Sequence, residues 1–394
     1  MPYFGVRSRT PESIMFDDEL SADERLLIEA ARCFAQAYGP QDIAAWEAAG
    51  RIPHDVLMQA KRCGFLRTQV PTACGGHGYG YRCKMRMTEE LAKFSMAAAF
   101  SIVNLQNAAA KLANDAHPNA AKALVPRMLA GERFGATALT EAHAGSDFSS
   151  IAMRAERSGD GWRLNGEKCW ITNAAYADVF VCYAQTDTSA GWRGIACFLI
   201  DATRPGFTRT APIDVFGGKA IGTGGFKLTD FHLPDEYLIH PAGEAFKYAL
   251  GSINGARTYV AAMCCGMLDD ALQTARTYLQ ERTAFGGPLL NRQGLRWTLA
   301  DMATELEAAR LLTYRAARLV EEGAKEAVLA AAHAKKYAAR VAQSRLLDCI
   351  QLLGANGMRT DCRLGHHLAC AKIAGYVDGS TEIQNERIAA LLLD

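Results

Sequence analysis

A carboxylate followed directly by glycine stands in the run Tyr376-Val377-Asp378-Gly379-Ser380-Thr381-Glu382-Ile383-Gln384. That pair suits a helix break, from which Asp378 can project into a cavity and take a proton. It also suits a plain N-cap or turn carboxylate. Far upstream lies Leu139-Thr140-Glu141-Ala142-His143-Ala144-Gly145-Ser146-Asp147. A threonine at a strand end offers backbone and hydroxyl groups to a polar ring edge. Gly145 allows close backbone approach to a phosphate, and Ser146 can donate to it. Alone, this run reads as a turn capped by Ser and Asp. Trp170-Ile171-Thr172-Asn173 places an indole two residues from a hydroxyl, although a strand tryptophan is usually core. Phe216-Gly217-Gly218-Lys219-Ala220 fails as a phosphate loop, because Ala220 stands where Ser or Thr is needed. No G-x-G-x-x-G fingerprint opens a helix after a strand.

Taken together and in this order, the segments resemble the acyl-CoA dehydrogenase family. Its members are flavoenzymes that remove a proton and a hydride from adjacent carbons of a thioester. No side chain accepts hydride, so the resemblance implies bound FAD. It sets Leu139 and Thr140 against the flavin pyrimidine, and Gly145 and Ser146 at the pyrophosphate, with Ser146 also near substrate. Trp170 would pack on the isoalloxazine and the Thr172 hydroxyl would approach N5. Arg282-Thr283-Ala284-Phe285-Gly286 resembles a segment that reaches a neighbouring subunit's flavin, Arg282 at the pyrophosphate and Phe285 near the adenosine. Gln293 matches a further contact. Gln351-Leu352-Leu353-Gly354-Ala355-Asn356-Gly357 resembles a second boundary-crossing run, with Ala355 replacing one glycine. Ser380 and Glu382 are implied at the cofactor, and Asn254, Arg257 and Gly379 at the substrate. A homotetramer or homodimer with FAD at the subunit interface follows. So do an acyl-CoA or acyl-carrier-protein substrate and an electron-transfer flavoprotein as acceptor. Ala142 and His143 depart from the family's usual proline and glycine; His143 either adds a donor beside the phosphates or points to solvent.

Most of the family has Glu where this chain has Asp378. Some members draw the base from the position before a characteristic arginine, here Ala256 before Arg257, which cannot act. Asp378 is then the one carboxylate on either family position, and its own N–H is implied as a donor to the thioester oxygen. Losing one methylene withdraws the carboxylate by roughly 1.5 Å. Either the substrate sits closer, or the backbone shifts, or the reaction differs. Members acting on ring carboxyl-CoA thioesters suggest an alicyclic or bulky acyl group. A nitroalkane oxidase of this fold also uses Asp, with an arginine seven residues on, where this chain has Asn385. A third alternative is an inactive flavin-binding scaffold.

The elements that must position these residues change character twice. A capping box, Ser21 to Glu24, opens a helix carrying Leu27, Ala31 and Phe34 that ends by Gly39-Pro40. Helical patterns follow near 53–63, 85–113 and 118–130, with a glycine-rich loop over 72–80. From 135 to about 240 short β-type runs alternate with turns, Asn165-Gly166 reading as a hairpin. Long helical patterns return near 244–283, 292–322 and 325–355, with a last helix from Ser380. The chain therefore divides into an N-terminal helical domain (1–134), a small β-barrel or sandwich (135–241) and a C-terminal four-helix bundle (242–394).

Composition narrows the setting. Forty-three basic against forty-two acidic side chains, net +1, argue against a nucleic-acid partner. No apolar run approaches the roughly 20 residues of a membrane span. The twelve cysteines form no CxxC pair and read as reduced core thiols of a cytoplasmic protein. Arg7 and Arg9 are followed by Glu12, Asp17, Asp18 and Glu19, too acidic for an import peptide.

Overall fold

The Ser21 hydroxyl accepts from the Glu24 amide at 3.2 Å while the Glu24 carboxylate accepts from the Ser21 amide at 2.9 Å. The expected capping box thus starts α1 (Ala22–Gln36) in this computed structural model, which describes residues 17–393. Arg7, Arg9 and Glu12 lie outside the described residues. α2 (Pro40–Ala49), α3 (His54–Arg62), α4 (Tyr81–Ala92), α5 (Met96–Asp115) and α6 (Pro118–Leu129) complete the first segment. The single helix expected over 85–113 is two. Ser95 breaks it, accepting from the Ala98 amide at 3.3 Å and so capping α5.

The middle segment holds β1 (Gly135–Ala138), β2 (Arg154–Ser158), β3 (Gly161–Ile171) and β4 (Val179–Gln185). β5 (Ile195–Asp201), β6 (Phe207–Arg209), β7 (Gly224–Pro234) and β8 (Leu238–His240) follow. They form one sheet ordered β6-β7-β3-β2-β4-β5-β8, with β1 added in parallel to β4. Phe207 near one end and Leu238 near the other pack on the same apolar core, so the sheet curls over itself. The hairpin expected at Asn165-Gly166 is instead an irregularity inside β3, where register against β7 shifts between Leu164 and Gly166. Gly166 has φ 145°, and a Cβ there would lie 2.8 Å from the Met153 Cα. The Asn165 side chain is used across the sheet, accepting from the Asp230 amide at 2.8 Å. The true β2–β3 turn falls between the paired residues Ser158 and Gly161.

The last segment contains α7 (Ala245–Glu281), a short hairpin of β9 (Thr283–Ala284) and β10 (Gly287–Pro288), and α8 (Gln293–Glu321). It ends with α9 (Ala327–Leu353), α10 (Leu364–Ala374) and α11 (Thr381–Leu393). Short connections make α7, α8 and α9 successive antiparallel neighbours, with α10 and α11 against α9. α4 lies close along α7, because Gly266 admits the Glu89 carbonyl and Gly255 admits the Tyr81 hydroxyl. One apolar core accordingly runs through both helical segments, from Phe34 and Phe94 to Met263 and Leu346. All twelve cysteines are unpaired, and no described helix is long and apolar enough to cross a membrane.

Candidate active site

Asp378 lies between α10 and α11 with φ 53°, followed by Gly379 at φ 95°. Two left-handed residues in succession make a sharp turn, and Ser380 then caps α11, its hydroxyl accepting from the Ile383 amide at 3.4 Å. The turn is held by its carbonyls. Arg257 Nε donates to the Asp378 carbonyl at 3.2 Å, and Gln384 Nε2 donates to that of Gly379 at 3.0 Å. Lys335 Nζ also donates to the Gly379 carbonyl. Asn254 Oδ1 in turn accepts from Arg257 at 2.8 Å, fixing the guanidinium. The carboxylate itself is left alone: Oδ2 of Asp378 is shut off from solvent and has no partner. The Asp378 amide donates to no carbonyl among the described residues.

Charge explains why a buried, unpaired carboxylate persists. Burial pushes Asp378 up to about 6, opposed by the nearby charges of Lys335, Arg257 and Lys84. The same burial lowers Lys335 to about 8 and Lys84 to about 7, with Asp378 pulling both back up. Arg257 falls to about 10 through burial and the neighbouring Arg387. Asn254, Arg257, Gly379 and Asp378, all expected at the substrate end, are thus brought together. Ser146, the fifth, stands exposed on the middle segment.

Near β1 and β3, Leu139 and Thr140 follow the end of β1, and the Thr140 carbonyl accepts from the Cys169 amide at 3.0 Å. Register shifts again between Lys168 and Ile171, which throws Trp170 to φ 57° and leaves its indole 56% exposed. It is not a core tryptophan. Asn173 pins the loop from beneath, donating to the Ser101 carbonyl at 3.0 Å. Glu141 is buried and ion-paired to Lys168 at 2.8 Å while accepting from the Ala152 and Met153 amides. That anchor leaves Gly145 and Ser146 on an exposed turn with open space where a Gly145 Cβ would stand. His143 is exposed, 3.2 Å from the Ser150 carbonyl.

The remaining candidates gather at the far end of α7. Phe285 (φ 53°) and Gly286 (φ 86°) form the tip of the β9–β10 hairpin, and the Phe285 ring is 89% exposed. Arg282, Gln293, Gln351 and Gly354 are exposed around it. Asn356 donates to the Tyr278 hydroxyl at 3.0 Å, bringing the 351–357 run to this end of α7. α7 is one continuous helix. At 1.5 Å per residue, Arg282 lies about 37 Å along it from Arg257.

Sequence models of the acyl-CoA dehydrogenase N-terminal, middle and C-terminal domains match residues 21–132, 136–231 and 243–393. A short/branched chain specific acyl-CoA dehydrogenase of Rattus norvegicus is 33% identical over 93% of this chain and 85% of its own. The chain belongs to the acyl-CoA dehydrogenase family. The solved butyryl-CoA dehydrogenase of Megasphaera elsdenii superposes with a TM-score of 0.91 at 28% identity, covering 95% of this chain and 99% of that one. The structure of PigA with FAD and proline gives 0.89 at 28%, covering 95% and 98%.

This acyl-CoA dehydrogenase family member is an FAD-dependent oxidoreductase, and its residues fit that cofactor. An aromatic side chain as large as Trp170 is exposed on a left-handed backbone, and the Thr140 and Thr172 hydroxyls are without partners among the described residues. Among the described residues, besides Asn173 and Asp230, the non-glycine residues at positive φ are Trp170, Phe285 and Asp378, each singled out by its sequence context. Strain of this kind collects at functional sites. Ser380 serves the turn as a cap, and Glu382 is exposed in the first turn of α11. Sequence reasoning missed Lys335, Lys84, Gln384 and the Glu141–Lys168 anchor. Lys335 was findable, because it shares an α9 stripe with Ala331, Ala338 and Ala342, where a lysine is out of place.

Proposed function

We propose that this chain oxidises an acyl thioester, on CoA or a carrier protein, to its α,β-unsaturated product, with Asp378 as the base. The reading rests above all on the free carboxylate: Arg257, Gln384 and Lys335 donate to the backbone carbonyls of the turn, and Oδ2 is buried with no partner. A base near 6 is ionised at neutral pH yet retains the basicity to accept a carbon-bound proton. The uncommitted Asp378 amide is positioned by its own residue to donate to a thioester oxygen, acidifying the α-carbon as the proton leaves. FAD, when bound, supplies the hydride acceptor. Lys335, Lys84 and Arg257 keep Asp378 ionised in a dry site, and Arg257 and Asn254 fix its direction. Arg282, Phe285, Gln293, Gln351 and Gly354 serve the flavin of a second copy, since one helix holds them far from Asp378. A homotetramer or homodimer follows, with an electron-transfer flavoprotein as acceptor and a cytoplasmic setting. Anaerobic titration of the holoenzyme with CoA and carrier-protein thioesters tests the reading. Bleaching of the flavin by a thioester, abolished in Asp378→Asn, is expected. Bleaching by nitroethane alone overturns it in favour of a nitroalkane oxidase, and none at all in favour of a scaffold.

A further inference from the structure

The run Phe216-Gly217-Gly218-Lys219-Ala220, which fails as a phosphate loop, does hold an anion, and the anion is the chain's own. Glu47, in the last turn of α2, reaches it: Oε2 accepts from the Lys219 amide at 2.8 Å and Oε1 from the Ala220 amide at 3.3 Å. Gly218, at φ 70°, gives the backbone the left-handed step that such a nest of amides needs. The carboxylate is held by backbone rather than by a cation. Lys219 pairs with Asp214, and His366, 3.8 Å from Oε1, is pushed down to about 3 by burial and so is neutral.

The loop seated in this way stands between the two halves of the site. On one side it fits α10. A Cβ at Gly217 would lie 2.3 Å from the Ala369 Cβ, and one at Gly218 would lie 2.4 Å from Ile373 Cδ1. The Ile373 carbonyl accepts from the Tyr376 and Val377 amides at 2.9 and 3.1 Å, which carries the contact to the residue before Asp378. On the other side it binds the end of β3. The Ile221 carbonyl accepts from the Asn173 amide at 3.2 Å and the Gly222 carbonyl from the Ala175 amide at 3.0 Å. Gly224 pairs with Ile171, which Trp170 and Thr172 flank. At Gly217 backbone meets Ala369 directly, so no long side chain absorbs a change in spacing.

We propose that Glu47 is a positioning residue for the dehydrogenation: by seating the 217–222 loop, it sets the gap between Asp378 and the Trp170–Thr172 wall. This rests on the reading above, in which Asp378 is the base and that wall frames the flavin. Proton and hydride leave adjacent carbons held between the two, and a misplacement of about 1 Å costs on the order of a hundredfold in rate. Glu47 acts through backbone, so its loss falls on rate rather than on binding.

The test follows reduction of the FAD-loaded enzyme by anaerobic stopped-flow, with whichever of butyryl-CoA, isobutyryl-CoA and glutaryl-CoA reduces the parent fastest. Gly217→Ala sets a methyl 2.3 Å from the Ala369 Cβ and should slow reduction about ten- to a hundredfold. Affinities for FAD and for the thioester should stay within about threefold of the parent. Adding Ala369→Gly removes the atom that the methyl meets and should return most of the rate. Glu47→Gln leaves one loop amide without its acceptor and should show the same loss of rate with binding retained. A parental rate in either single variant overturns the inference and leaves the dehydrogenase standing. So does a rate that Ala369→Gly fails to restore, or one lost in equal measure with binding. Should Gly217→Ala fail to fold, Glu47→Gln decides by the same criterion. A parent reduced by none of these thioesters overturns the dehydrogenase reading, and this inference with it.

Discussion

The two ends of α7 carry opposite kinds of site. At Arg257 most local groups satisfy one another, through Asn254, the Asp378 carbonyl, Gln384 and Lys335, while Oδ2 of Asp378, Oε1 of Gln384 and Nε of Arg387 are buried without partners. At Arg282 and Phe285 the side chains stand in solvent, although the hairpin beneath them is ordered by Arg292 bonding the Phe285 carbonyl at 2.7 Å. The first end is built to act on what enters it; the second is built to be completed. Because a single helix joins them, the second end serves another copy of the chain on the reading proposed above. On that reading, the difference teaches that chemistry and cofactor retention are carried by different chains.

The largest effect expected is at the closed end. Asp378→Asn should lower the rate of flavin reduction by roughly a thousandfold or more while FAD stays bound, read by stopped-flow absorbance. Retained activity would move the base elsewhere. At the open end, Arg282→Glu should leave folding nearly untouched, since the side chain is exposed, but weaken FAD retention by roughly ten- to a hundredfold. The two variants together sharpen the comparison. A mixed oligomer holds sites in which intact Asp378 meets intact Arg282 from the other chain. Co-expression should therefore restore turnover well above either parent. Activity no greater than the sum of the parents would place both ends in one chain's site.

Legibility in the sequence also differed between these ends. Arg282, Phe285 and Gln351 were singled out because contiguous motif residues carried them. Asp378 and Arg257 were singled out for the same reason, but the charges that surround the Asp378 carboxylate were hidden. Lys335 and Lys84 come from helices remote in sequence: the alanine stripe of α9 marks Lys335 as buried, but nothing local says that a carboxylate will face either lysine. Trp170 shows the reverse case: its strand context argued for core, and only the β3 irregularity turned it outward. Asn165-Gly166 misled because the same φ freedom that makes a hairpin turn also makes a bulge, and the β7 partner decides which. Domain-scale order was legible throughout, since helical and β periodicities do not depend on distant partners.

A subtler break targets the turn without touching the carboxylate. Gly379 has φ 95°, and a Cβ there would lie 2.8 Å from Gln384 Nε2 and 3.5 Å from an Arg257 nitrogen. Gly379→Ala should lower stability by about 1–3 kcal/mol and shift the Asp378 carbonyl off Arg257. The expected signature is a drop in kcat larger than any change in FAD affinity, because the open end of α7 is untouched. Equal losses in both would mean the two ends are mechanically coupled along the helix.

The smallest effect concerns pH. Asp378 in the folded chain titrates near 6 against an ordinary 3.8, so its neutral form is favoured by folding. The sign follows: relative to a neutral side chain it is harmless below the unfolded value and destabilising once pH rises through about 6. The limit is on the order of 3 kcal/mol, and less in practice, because Asn at this position leaves Lys335 and Lys84 without their counter-charge. Asp378→Asn should therefore melt a few degrees above the parent at pH 8 and level with it near pH 4. In the parent, kcat/KM should climb about tenfold per unit up to pH 6 and then flatten. An enzyme losing stability over the pH range in which it gains activity is what a buried, unpaired base requires. A melting difference independent of pH would mean that Asp378 is already paired when folded, and the contrast between the closed and open ends of α7 would vanish.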